Sequence, residues 1–204
     1  MSVTISRLYD RYADAERAVT ALETAGIPHS DISIVANNSD DWYNSGKKDR
    51  DRDGADDRAE SAGKGAGIGA GIGGTAGLLA GLGLLAIPGL GPVVAGWLEA
   101  TAVGAAAGAA TGGIIGALTE AGVSEEDAHT YAEGVRRGGT LVTARVPDSQ
   151  SDRAKFETIL DQSSVNLRDR RAVWEKTGWQ RFDPQSEPYG VEELRRERQL
   201  YSGI

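Results

Sequence analysis

The chain has 204 residues, no cysteine, a formal net charge of -8 and a pI near 4.9. That length holds one domain with a real core, or a domain carrying a large insertion. The acidic balance sets aside a nucleic-acid protein held by phosphate contacts, and the lack of cysteine excludes disulfides, thiolate metal sites and cysteine nucleophiles.

The opening, MSVTISRLYD, has no basic segment followed by an apolar one, so no secretory signal is expected. Ser2 to Leu8 alternates, with Val3 and Ile5 on one face and Thr4 and Ser6 on the other, which predicts a half-buried strand. A helix follows from about Ala13 to Thr24, because Ala15, Ala18, Val19, Leu22 and Ala25 fall at helical spacing and Gly26 and Pro28 supply the stop. Ile32 to Ala36 reads as a second strand, so residues 1–36 form a first β-α-β half.

Residues 37–62 are polar and charged and read most simply as a solvated linker. Inside them, DRDRDGADDRAE satisfies the spacing of a calcium-binding loop, with Asp49, Asp51, Asp53, Asp57 and Glu60 as carboxylates, Gly54 at the turn and Ala55 at the carbonyl position. The departures weigh against it. No amphipathic helix enters the loop, Asp56 stands where such loops carry an apolar residue, and Arg50, Arg52 and Arg58 neutralise part of the charge. Calcium is thus a candidate on spacing alone, and no other cofactor is expected.

Residues 63–122 hold 19 of the 28 glycines, so the glycine excess lies in one segment. Gly69, Gly71 and Gly74 match a dinucleotide-binding pattern, but no strand precedes them, and Gly65 stands where a phosphate loop needs Ser or Thr. A period of four fits better: Gly65, Gly69, Gly73, Gly77 and Gly81, then Gly104, Gly108, Gly112 and Gly116. Residues four apart share a helix face, so each run presents a groove that another helix can enter closely, a glycine zipper. Glycine costs a helix about 1 kcal/mol relative to alanine, so these grooves must be filled for the helices to persist.

No charged residue lies between Lys64 and Glu99, and Pro88-Gly89-Leu90-Gly91-Pro92 predicts a tight bend, so the expectation is a helical hairpin. Its arms, Gly65 to Ile87 and Ala100 to Thr119, would be about 34 Å and about 30 Å long, against a bilayer core of ~30 Å. The second arm carries only Val103, Ile114, Ile115 and Leu118 among alanines and glycines, which is weak for insertion. Two settings follow. The hairpin anchors the chain in a membrane with both domain halves on one side, or hairpins from several copies bundle in a soluble homo-oligomer. A hairpin packed on its own domain ranks below both.

In residues 123–170, Ser124 and Asp127 resemble a capping box opening a helix to about Arg137, which Gly138 and Gly139 end. Thr140 to Val146 reads as a strand, Asp152 to Gln162 as a helix and Val165 to about Arg168 as a last short strand. One offset superposes Arg7 on Arg145, Asp10 on Asp148, Asp14 on Asp152, Thr20 on Thr158 and Leu22 on Leu160, as a duplication would. The fold class expected is α+β: a ferredoxin-like four-stranded plait from two βαβ halves, with helices on one face, interrupted by the glycine-zipper α-helical hairpin. The tail, residues 171–204, mixes charges with aromatics. Trp174 and Trp179 are expected to cover a sheet edge or a neighbouring subunit, and a short helix is expected over Val191 to Tyr201. His29 and His129 stand at no recognisable spacing from a nucleophile or ligand, so both read as packing or surface residues and no catalytic residue is expected.

The opening SVTISRLYDRYADAERAVTALETAGIPHSDISIVA and the later GVSEEDAHTYAEGVRRGGTLVTARV resemble the two halves of the bacterial general stress protein domain of the heat-induced YflT type. The resemblance covers about two thirds of the chain, omits the cation loop and the tail, and implies stress association without catalytic residues. The function expected is therefore non-enzymatic: a stress-response protein that self-associates through its glycine zipper and is anchored, with membrane lipid as a partner, to the bacterial inner membrane, its domains on the cytoplasmic side. The alternatives are a cytoplasmic soluble homo-oligomer with bundled hairpins, and a small-ligand or calcium-responsive sensor.

Overall fold

The computed structural model describes residues 2–37, 83–87, 91–95 and 113–201. Among these, five strands and six helices form an α+β domain: β1 (Ser2–Tyr9), α1 (Tyr12–Thr24), β2 (Ile32–Asn37), β3 (Gly83–Ile87), β4 (Gly91–Ala95), α2 (Gly113–Glu120), α3 (Glu125–Arg136), β5 (Thr140–Pro147), α4 (Gln150–Asp161), α5 (Leu167–Lys176) and α6 (Val191–Tyr201).

Three strands carry the domain. β5 lies in the middle, antiparallel to β1 from Ser2↔Pro147 to Tyr9↔Thr140 and antiparallel to β2 from Ile32↔Ala144 to Ala36↔Thr140. β1 and β2 are therefore parallel to each other and separated by one strand. The hairpin β3–β4 adds to the far side of β2 through Ala36↔Val94 and Asn37↔Val93, giving the order β1-β5-β2-β4-β3.

Strand alternation divides the core in two. Ile5, Tyr9, Ile32, Ile34, Val142, Ala144 and Val146 point to one face, where α1 contributes Ala15, Val19 and Leu22 and α4 contributes Phe156 and Leu160. Leu8, Val35 and Leu141 point to the other, under Ile114 and Leu118 of α2, Tyr131 and Val135 of α3, and Trp174 of α5. The sheet is thus covered on both faces, not on one. Ser6, Ser33 and Thr143, whose polarity suggests a solvated face, are at most 5% exposed, and the Ser6 and Thr143 hydroxyls hydrogen-bond to each other at 3.2 Å. The helices over them carry their apolar stripes at the spacing the sequence shows, but that spacing does not say which face of the sheet they cover.

Two further expectations are corrected. No strand runs from Val165 to Arg168. Only the Val165 N–H reaches β1, donating to the Leu8 carbonyl at 2.7 Å, and Asn166 then caps α5 by accepting from the N–H groups of Arg168 and Asp169. A side-chain cap two residues into the expected strand leads the backbone into a helix instead of a ladder. Nor is Gly83–Ile87, the end of the first arm of the expected hairpin, helical: it is β3, and the rest of that arm lies outside the described residues. The strand-favouring Val93 and Val94 pair with the open edge of β2, and the Gly83–Ile87 stretch, whose glycine disfavours a helix, follows them into the sheet. The end of the second arm is helical as expected, in α2.

Four helices close in the same manner. Gly26, Gly122, Gly138 and Gly178 adopt positive φ, and the following N–H groups of Ile27, Val123, Gly139 and Trp179 return to the carbonyls of Leu22, Leu118, Gly134 and Trp174. The last of these closures sets the position of Trp179.

Candidate functional site

Two side-chain clusters flank α3, one at each end. At its C-terminal turn, Glu133 is 1% exposed and accepts from Arg136 at 2.9 and 2.6 Å and from Arg137 Nε at 2.5 Å. Arg137 also donates to Glu197 Oε1 of α6 at 3.0 Å, and the same oxygen accepts from Trp174 Nε1 at 3.0 Å and from the Tyr201 hydroxyl. The guanidiniums of Arg136 and Arg137 lie 4.6 and 5.4 Å from the Tyr189 ring centroid, and the Arg136 carbonyl accepts from both the Asn37 amide and the Tyr189 N–H. Burial, followed by Glu197, pushes the Tyr201 hydroxyl well above its ordinary pKa. Charges in this cluster are buried and paired, which holds α6 on the domain but exposes no group for reaction.

The other cluster lies at the N-terminal half of α3, where residues 171–181 cross it. Ser124 caps the helix by accepting from the Asp127 N–H at 3.1 Å, which sets Glu125, Glu126 and His129 along one side of the first turns. Arg171 pairs with Glu126, with Asp127 at 3.0 Å and with the Thr130 hydroxyl. Arg181 pairs with Glu125 at 2.8 Å and donates Nε–H to His129 Nε2 at 2.8 Å. Together with Glu175, Trp179 and Gln180 these residues line an open cleft of about 390 Å³.

His129 is the titratable group at the wall of that cleft. Its side chain is 12% exposed, and burial, reinforced by the adjacent Arg181 and opposed by Glu125, lowers its pKa below 6.5, so the ring is neutral at pH 7. Arginine only donates; the bond from Arg181 therefore fixes Nε2 as the lone-pair nitrogen and places the ring hydrogen on Nδ1. That Nδ1 is buried without a hydrogen-bond partner, and so is Trp179 Nε1. The Trp179 ring meets Trp174 edge to face, with centroids 5.6 Å apart.

Most residues singled out in the sequence fall elsewhere. Asp49, Asp51, Asp53, Asp57 and Glu60 lie outside the described residues, as do Gly65, Gly69, Gly73, Gly77, Gly81, Gly104, Gly108 and Gly112. Among the described residues no group of three or more acidic or imidazole side chains could hold a metal ion. Gly116 is in α2, where an added Cβ would meet nothing within 4 Å. His29 pairs with Glu23 at 2.7 Å on the surface. Trp174 and Trp179 serve their own chain: Trp174 is 1% exposed in the core under the sheet, and Trp179 packs against it. The cleft was not read from the sequence, although the Asn166-x-x-Asp169 cap and the Gly178 stop mark the helix that builds half of it.

Comparison with protein-family models, curated proteins and solved structures finds no significant match for this chain.

Proposed function

We propose that this chain is a non-enzymatic stress-response protein that self-associates through its glycine-zipper residues, the α+β domain acting as a rigid mount for the glycine-rich segment. The observation that carries this reading is where the segment is attached. Residues 38–112 run from Asn37 at the end of β2 to α2, rejoining the sheet at β3 and β4 on the way, and Ile114, Ala117 and Leu118 of α2 are buried in the same core as Val35 of β2. A large insertion held at both ends by one closed domain is suited to displaying a sticky surface, and the two four-residue glycine periods supply such a surface. The stress association rests on the family resemblance.

Of the two settings for association, the pairing of β4 with β2 favours an assembly of copies outside the bilayer. It draws the midpoint of the segment back onto the domain, whereas a membrane hairpin carries that midpoint to the far leaflet. No helix among the described residues is long and apolar enough to cross a membrane. We also read the three central strands as a ferredoxin-like plait whose fourth place, beside β1, is reduced to the single bond from Val165.

The test is the double substitution Gly73→Leu and Gly77→Leu in the full chain. It fills two consecutive steps of the first glycine groove, and light scattering is expected to fall from a multiple of 21.4 kDa toward the single-chain mass. An unchanged assembly mass overturns the zipper.

A further inference from the structure

The last turn of α3 ends with one carbonyl to spare. Its closure uses those of Glu133, Val135 and Gly134, which accept from the N–H groups of Arg137, Gly138 and Gly139. The Arg136 carbonyl is left for donors from other elements, and two reach it: the Asn37 side-chain amide at 3.1 Å and the Tyr189 N–H at 3.1 Å. A carbonyl oxygen has two lone pairs, so both are used.

The two donors come from separate parts of the chain. Asn37 is the last residue of β2, the root from which residues 38–112 depart, and it is 6% exposed. In the sheet its partner is Val93 of β4, because the pairing of β2 with β5 ends at Ala36↔Thr140. Tyr189 belongs to the C-terminal strap, residues 187–201. The strap is tied to the same turn twice more, by Arg136 Nη1, which donates to the Glu187 carbonyl at 3.0 Å, and by the Arg136 guanidinium over the Tyr189 ring. One oxygen therefore joins the root of the glycine-rich segment to the tail.

Few groups hold the strap down. Leu194 and Glu197 are the buried residues of α6: Leu194 lies against Gly138, and Glu197 accepts from Arg137, Trp174 and Tyr201. An element with so little buried apolar surface opens at a lower free energy than the sheet beneath it.

We propose that residues 187–201 are a releasable clasp on the root of the glycine-rich segment. While α6 is docked, the Arg136 carbonyl is fixed between Tyr189 and Asn37 and holds the root to α3; undocking of α6 loosens the root and the β2–β4 pairing beside it. A donor on one lone pair holds the carbonyl where the other donor finds it, so the coupling runs both ways. That release then alters self-association rests on the reading given above, but the clasp itself does not and is measured apart from assembly mass.

Hydrogen exchange of the full chain, followed by mass spectrometry, compares the natural protein with the double variant Leu194→Ala and Glu197→Ala, which leaves Asn37 and Arg136 in place. Exchange is expected to quicken across residues 191–201 and also, by about three- to tenfold, at residues 36–37 and 93–94, the effect of one hydrogen bond. Residues 2–9 and 140–147 are expected to keep their rates. Faster exchange in α6 with unchanged rates at 36–37 and 93–94 overturns the clasp. If the double variant loosens residues 2–9 as well, Asn37→Ala decides, since it leaves α6 and its own contacts intact. Faster exchange across 191–201 in that variant supports the clasp, and an unchanged rate there overturns it.

Discussion

His129 shows how a single side chain links the cleft to stability. Its ring is held neutral by burial and by the guanidinium of Arg181, with only Glu125 pulling the other way. In the unfolded chain it titrates near 6.5 and in the folded one lower, so between those values the unfolded state binds more protons and stability rises with pH. The contribution is complete above about pH 6.5 and is lost as the pH falls toward the folded value. Thermal melting at pH 7.5 and pH 5.5 is therefore expected to show a larger loss for the natural protein than for His129→Gln. Equal losses in the two would show that His129 is not responsible. The histidine itself was visible in the sequence. Its partner was not, because Arg181 lies 52 positions away and only the turn after α5 brings them together.

At the scale of the elements, the contact between α3 and α6 is decided at Gly138. This residue ends α3 with φ near +88°, and a Cβ there would lie 2.2 Å from Leu194 Cδ2 of α6. Gly178 ends α5 at a similar φ, +91°, with nothing within 4 Å of the same position. Both alanine variants pay the left-handed backbone cost of roughly 1–2 kcal/mol, but only Gly138→Ala also crowds a neighbour, at an additional cost of about 1–3 kcal/mol. Urea unfolding should rank Gly138→Ala below Gly178→Ala, and hydrogen exchange should speed up across α6 in the first variant alone. Equal effects would mean that Leu194 yields without undocking the helix. Most of these elements were legible. The strands at 2–9, 32–37 and 140–147 and the helix at 191–201 agree with their alternation or period, and the Ser124 cap accepts from Asp127 as expected. What failed was the reading of Val165–Arg168 as a strand, where three residues of apolar alternation carried less weight than the Asn166 cap, and of Gly83–Ile87 as helix, where a distant strand edge offered hydrogen bonds.

For the whole molecule, the question is where the glycine-rich segment resides. Cells lysed without detergent, followed by high-speed separation and an alkaline carbonate wash of the membranes, distinguish the two settings. The attachment of β4 to the domain leads us to expect the protein in the supernatant, and retention in the washed membrane would return the hairpin to the bilayer. The covering of both sheet faces could not be inferred from the sequence because it depends on tertiary choices: α5 carries a tryptophan that looks like a tail residue until it is buried at 1% exposure. The buried pair Glu133 and Arg136 was hidden for a similar reason, since charged residues three apart on a helix ordinarily stay in water.

The central place of β5 also sets a timetable. β1 and β2 never touch, so the sheet cannot close until the ribosome has produced Thr140–Pro147, roughly a hundred residues after β2. Every glycine of the repeat is made during that interval, at a synthesis rate of about 5–20 residues per second, while the first β-α-β unit waits without its partner strand. Chains growing side by side on one message thus have several seconds in which their glycine-rich segments can meet before their domains are complete. If the glycine-rich segments associate as proposed, that interval is open to them, because the last-made strand stands in the middle of the sheet.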